Sequence, residues 1–416
     1  MIRLIEALRY RSLLDVRQAI GPFHVLVGPN ASGKSTFLDV VGFLGDLLTS
    51  DVSVAVRKRS PNFQNLLWMG DGKRFELAIE LEIPRDRREK LDSIFARVRY
   101  EVSVGLDDRE QLAILSETLW LKPTNGPAVQ RPRTLFPELR EPRKTIVVPE
   151  RSKSPKGWKK VVSKTSEGND YFSSETTRWN NPFRLGSHRL ALANLPEDEE
   201  RFPVATWTKR FLLDGIQLLV LNGEAMRRPA PPGMPLEFQP DGSNLPWAIE
   251  DLRRRDPDRF RRWIEHVRTS LPHIQMIDTV ERPEDLHRYL RVSYDSGLAA
   301  PSWAVSDGTL RLLALTLIAY LGVENRVYLI EEPENGIHPQ AVETIFQSLV
   351  STYGSQILCA THSPVVLSLA EPDQLLCFSI TERGDADVVQ GSTHPALSEW
   401  KRSADLGTLF ATGVLG

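Results

Sequence analysis

A chain of 416 residues, 41% hydrophobic and 25% charged with a formal net charge of −2, has a globular protein's composition and room for two or three domains. Near-neutrality excludes a global pull toward nucleic acid and leaves any such contact to local patches. The longest uncharged apolar run, 312–322, is too short to span a bilayer, and the first residues lack signal-peptide architecture, so a cytoplasmic protein without membrane contact is expected.

Residues 2–20 read as a strand pair, with Leu4, Ile5, Leu8, Leu13, Leu14 and Val16 supplying apolar sides. A short buried strand, Phe23 to Val27, then runs into Gly28-Pro29-Asn30-Ala31-Ser32-Gly33-Lys34-Ser35-Thr36. Gly28 and Gly33 permit backbone conformations that a β-carbon obstructs, so consecutive N–H groups can turn inward on a polyphosphate at the start of the following helix. Lys34 adds a mobile positive charge, and Ser35 offers a hydroxyl to the Mg2+ that accompanies ATP. Phe37, Val41, Leu44 and Leu48 give that helix one apolar face.

Phe75 to Ile83 alternates, with Phe75, Leu77, Ile79 and Leu81 on one side and Glu76, Glu80 and Glu82 on the other, as in a half-buried antiparallel strand. Val98 to Val104 repeats the pattern and 112–121 adds a third strand, completing an antiparallel meander. Regularity stops between Lys122 and Trp179, where recurrent prolines break helices and central strands. This reads as a partly flexible, basic insertion: from Arg131 to Lys164 eleven cations face three acids, a local field suited to DNA or an acidic partner. A helical region is expected over 207–221. Asp256 then caps a helix that has Pro257 at its first position, with Phe260, Trp263, Ile264 and Val267 as its buried stripe.

Three segments complete the pattern. Val305-Ser306-Asp307-Gly308-Thr309 is a polar turn capping a very apolar helix, Leu310 to Leu321. Val327 to Ile330 is a buried strand ending in the paired carboxylates Glu331 and Glu332, and 357–360 is another that delivers Thr361-His362-Ser363 to the same edge. Carboxylates at such an edge, in one α/β sheet with a phosphate loop, can reach a metal ion and an attacking water. Cys359 and Cys377 each sit within an apolar run and read as small core residues; two cysteines cannot form a cysteine zinc site.

In this order the segments resemble the nucleotide-binding heads of the ABC ATPase superfamily, and the wording VSDGTLR, IEEPENGIHP and ATHSPVVLS is similar to its AAA_21 branch, related to RecF, SMC and OLD-type ATPases. The resemblance implies an α/β P-loop NTPase: a RecA-like core, an antiparallel β subdomain and a helical lobe carrying the insertion. It makes 28–36 the Walker A loop, Glu331 the Walker B carboxylate, Glu332 the catalytic base, His362 the switch histidine, and Ser306 and Gly308 the signature turn that completes the site of a second copy. Gln64 is the expected Q-loop metal ligand beside Ser35 and Glu331; His338 falls where the family's D-loop acid stands, and Tyr10 is a candidate to pack near the base. Asp307, Thr309 and Glu331 depart from the family's usual Gly, Gln and Asp.

Expected boundaries are 1–121 for Walker A and meander, 122–245 for insertion and helical lobe, and 246–416 for signature, Walker B and switch. The function implied is a dimeric, ATP-hydrolysing switch that sandwiches Mg-ATP head to tail and regulates a separate nuclease-like effector in anti-phage defence or genome maintenance. The alternative is a RecF-like, ATP-gated DNA clamp without an effector.

Overall fold

The computed structural model describes residues 1–91, 94–123, 133–148, 154–165 and 170–399. In chain order the strands are β1 (Ile2–Tyr10), β2 (Leu13–Ala19), β3 (Phe23–Val27), β4 (Arg74–Glu82), β5 (Phe95–Leu106) and β6 (Leu112–Pro123). There follow β7 (Lys159–Thr165), β8 (Asp170–Ser173), β9 (Asn180–Phe183), β10 (Ile216–Leu219), β11 (Ile274–Glu281), β12 (Arg288–Tyr294) and β13 (Ala299–Pro301). The last are β14 (Val327–Glu331), β15 (Gln356–Ala360), β16 (Leu375–Ile380) and β17 (Ala386–Gln390).

An eight-stranded antiparallel sheet has the order β2-β1-β4-β5-β6-β7-β8-β9. Alternation puts Phe75, Leu77, Ile79, Val98, Tyr100 and Val102 on one face, in a core shared with helix Lys34–Thr49. The opposite face departs from expectation. Glu76 and Glu80 are 1% and 2% exposed instead of solvated. Residues 143–148 cross this face: Thr145 Oγ1 and the Ile146 N–H donate to Glu76, each at 2.7 Å, and the Val148 N–H donates to Glu101 at 3.0 Å. Carboxylates removed from water must find donors: the strap supplies them to Glu76 and Glu101, while Lys122 and Arg99 supply them to Glu80.

The insertion is therefore not a flexible appendage where it is described. β7, β8 and β9 extend the sheet, and the expected boundary at 121/122 falls inside β6. Many of its cations are engaged within the chain. Arg133 pairs with Asp387, Arg143 with Asp15 and Glu6, and Lys164 donates to the Gly186 and Arg189 carbonyls while 2% exposed. Arg131, Arg151 and Lys153 lie outside the described residues. The helix expected over 207–221 also divides: it runs Pro203–Asp214, and Gly215 leads into β10.

β10 edges a six-stranded sheet ordered β10-β14-β15-β3-β16-β17, parallel except for β17. Both faces are covered. Val25, Val27, Ile357 and Cys359 pack with helices Asp307–Leu321 and Pro339–Val350, while Leu26, Leu358 and Ala360 join the core shared with the large sheet. Burial on both sides explains why these strands read as unbroken apolar runs. Cys359 and Cys377 are buried and unbridged. The Asp256 cap forms as expected, accepting from the Arg259 N–H at 2.9 Å, with Phe260, Trp263, Ile264 and Val267 buried beneath. A three-stranded sheet, β11-β12-β13, follows. Among the described residues no helix is long and apolar enough to cross a membrane.

Candidate nucleotide site

The phosphate loop, Glu332 and His362 gather at the C-terminal edge of the six-stranded sheet. β3 ends at Val27 and the chain turns through Gly28 to Gly33 before helix Lys34–Thr49 begins. Gly28 has φ 152°, and a β-carbon there would stand 2.2 Å from the Phe378 carbonyl oxygen. Gly33 has φ 98° and Ala31 φ 63°, so the loop curls in the left-handed region, where successive N–H groups converge. The first turn of the helix carries no acidic residue to compete for its positive end. Gly28→Ala is expected to cost about 3 kcal/mol by overpacking and strain, read as a lower thermal unfolding midpoint together with lost ATP binding. An unchanged midpoint would mean that the Phe378 carbonyl can move aside.

Lys34 is 7% exposed and folds back on its own loop, donating to the Gly28 and Pro29 carbonyls at 2.8 Å each. Burial lowers its pKa to about 8 against the opposing pull of Glu332 and Glu331. A cleft of about 440 Å³ is lined by Asn30 to Thr36, Glu332 and His362, with Arg11 and Ser12 from the β1–β2 turn. The Ser32 side chain is fully buried, and its Oγ has no hydrogen-bond partner among the described residues. Ser35 is exposed.

Strand pairing brings the acids and the histidine here. Glu331 pairs with Ala360 and Ala360 with Leu26, which aligns the ends of β14, β15 and β3. The Glu332 N–H donates to the Ala360 carbonyl at 2.7 Å, and the Thr361 N–H donates to Leu26 at 3.2 Å. Glu332 has φ 46°, a conformation that costs a non-glycine residue roughly 1–3 kcal/mol. Glu332 lines the cleft, and Asn335 Nδ2 donates to its Oε2. Glu331 is exposed at the end of β14 but does not line the cleft.

Ser306 and Gly308 also lie outside that lining. Ser306 caps helix Asp307–Leu321, its Oγ accepting from the Thr309 N–H at 3.2 Å. Gly308 is pressed against the loop after β14: a β-carbon would stand 2.5 Å from the Gly336 carbonyl oxygen. His338 caps helix Pro339–Val350. Gln64 is not brought to the cleft; it sits in the turn Phe63–Leu66, its Oε1 buried without a partner among the described residues. Tyr10 is plain core, its ring against Phe43 and Phe75 and its hydroxyl donating to Asp39 at 2.6 Å.

Sequence reasoning missed Arg11 and Ser12. Ser12 Oγ donates to Thr36 Oγ1 at 3.3 Å and its carbonyl accepts from Ala386 at 3.0 Å, so β17 holds the hairpin turn against the loop. The only local signal was the Arg-Ser pair between two apolar strands, which also describes an ordinary turn.

The arrangement fits a nucleoside triphosphate: a curled N–H cradle, a helix N-terminus, a lysine and a hydroxyl around one polar cleft. It also fits magnesium, which needs few protein oxygens because phosphates and waters fill its octahedron. No group of three His, Cys, Asp or Glu able to hold a metal by itself occurs among the described residues.

The AAA_21 family profile, described as "AAA domain, putative AbiEii toxin, Type IV TA system", matches residues 23–368. No curated protein matches the chain. Among solved structures the fold is similar to an SMC head bound to the C-terminal winged-helix domain of ScpA, at 16% identity and a TM-score of 0.54, covering 93% of this chain and 96% of that one. It is also similar to an Smc head with an extended coiled coil bound to the C-terminal domain of ScpA from Pyrococcus furiosus, at 14% identity and a TM-score of 0.50, covering 97% and 99%.

Proposed function

The chain belongs to the AAA_21 family, and from that membership and the SMC-head fold we propose a dimeric, ATP-hydrolysing switch that regulates a separate effector. The observation that carries the reading is the division of the motifs: the Walker A loop, Glu332 and His362 share one cleft, whereas Ser306 and Gly308 lie outside it. A signature turn that does not serve its own cleft is available to the cleft of another copy.

In this reading the 28–36 loop binds the phosphates, with Lys34 exchanging its loop carbonyls for β- and γ-phosphate oxygens. Ser35, which lines the cleft, would hold magnesium together with Glu331 once the Glu331 side chain turns in from outside the lining; the ion when bound neutralises charge on the phosphates. Glu332 takes the proton from the attacking water, and His362 contacts the γ-phosphate. Ser306 and the N–H groups of its turn, from the second copy, face the γ-phosphate across the interface.

The family's description, with its toxin of a type IV TA system, agrees with a defence role. A nuclease-like effector in anti-phage defence or DNA maintenance remains the proposal. The RecF-like alternative is the weaker one, because the described insertion cations are largely engaged inside the chain.

Two inactive proteins test the dimer. Ser306→Arg, at an exposed position, is expected to block the partner's γ-phosphate approach, and Lys34→Ala to disable its own site. Mixed, they form heterodimers with one intact composite site. Random pairing makes about half the dimers mixed, so independent sites return roughly a quarter of normal turnover. No recovery, with heterodimers demonstrated by differently tagged chains, rejects independent composite sites. Full activity of Ser306→Arg alone removes the signature assignment.

A further inference from the structure

One carboxylate at this edge has no role in the mechanism above. Glu334, in the loop after β14, makes no ion pair among the described residues, and its Oε2 is buried without a hydrogen-bond partner. Its Oε1 accepts from the hydroxyl of Thr361, which is fully buried. The same hydroxyl oxygen accepts from the Ser363 N–H at 2.9 Å. The chain Ser363 N–H to Thr361 O–H to Glu334 therefore runs in one direction, because a hydroxyl that donates its single proton to a carboxylate can only accept from an amide. His362 lies between the two residues so fixed.

A partly buried carboxylate with one unpartnered oxygen and no ion pair among the described residues is costly, and an apolar side chain would fill the place more cheaply if packing were its only task. Its charge is also felt beneath the loop, where it adds to the burial that pushes the Cys359 thiol upward. Glu332 and Glu334 share one short loop, and the Glu332 N–H is bound to Ala360, the residue before Thr361. The loop carrying the base and the loop carrying the histidine are thus joined at Glu332–Ala360 and at Glu334–Thr361.

We propose that Glu334 is a positioning residue for His362: through the Thr361 hydroxyl it holds the switch loop in register with the loop that carries Glu332. The proposal rests on the ATPase reading of the site. A charge-assisted hydrogen bond from a fully buried hydroxyl is strong enough to set a loop's register.

The test is a mutant cycle read in steady-state ATP turnover and in ATP affinity by calorimetry. Glu334→Ala is expected to lower kcat by roughly 10- to 100-fold while leaving affinity within about threefold, as for a group that acts only on the reacting geometry. Thr361→Ser, which keeps the hydroxyl, should retain turnover within a few-fold of normal. In a His362→Ala background, adding Glu334→Ala should cost no more than about twofold, because its effect is transmitted through the histidine. Should Glu334→Ala fail to fold, Thr361→Val removes the same hydrogen bond at nearly constant shape and takes its place in the cycle. A full tenfold-or-larger loss in the His362→Ala background, or normal turnover of the single variant, overturns the proposal. If the unsubstituted protein shows no turnover that depends on Lys34, the ATPase reading itself fails. Lys34-dependent turnover that ignores Glu334 removes only the positioning role.

Discussion

Glu332→Gln is expected to bind ATP at least as tightly as the unsubstituted protein and to hydrolyse it some 10²- to 10⁴-fold more slowly. The amide has nearly the shape of the carboxylate, so the backbone at φ 46° and the contact with Asn335 can persist. What disappears is the basic oxygen proposed to accept the proton of the attacking water. Affinity should not suffer, because removing a negative charge from the cleft reduces its repulsion of the triphosphate. Calorimetry for binding and phosphate release for turnover separate the two quantities. Normal hydrolysis by the variant would reassign the base to Glu331 or His362.

Lys34→Ala should weaken ATP binding by roughly 10²-fold, the effect of losing charged hydrogen bonds to the β- and γ-phosphates. The folded protein keeps this amine buried, bonded to Gly28 and Pro29, with a pKa near 8. A depressed lysine pKa means that the fold disfavours the charged form. The corresponding destabilisation is fully present below pH 8 and is relieved as pH rises from 8 toward 10.5. ATP, a polyanion, favours the charged form and raises the pKa again. Affinity should therefore fall as pH rises through 8, and binding above that pH should take up a proton. Calorimetry in buffers of different ionisation enthalpy reads this uptake directly. Uptake that persists in Lys34→Ala would place the titrating group elsewhere, and undiminished affinity of that variant would sink the role assigned to Lys34.

Residue order alone determined the phosphate cradle, the buried strands on either side of it, the Ser306 cap and the carboxylate pair at Glu331 and Glu332. Each is a run of consecutive residues whose backbone and side-chain demands are local: glycines where φ is positive, a hydroxyl before a helix, unbroken apolar runs where both sheet faces are covered. The tertiary structure decided what depends on which distant segments meet. Glu76 reads as a solvated residue of an alternating strand until residues 145 and 146, some seventy positions later, cover it with donors. Ser12 joins the cleft only because β17 grips the first hairpin, and Thr361 meets Glu334 only because β14 and β15 are neighbours. β10 was hidden in a helical reading because its place is set by pairing with β14 across more than a hundred residues. The identity of the pairing partner is not written in either segment's own pattern; it is chosen by the burial and hydrogen bonding of the assembled sheets.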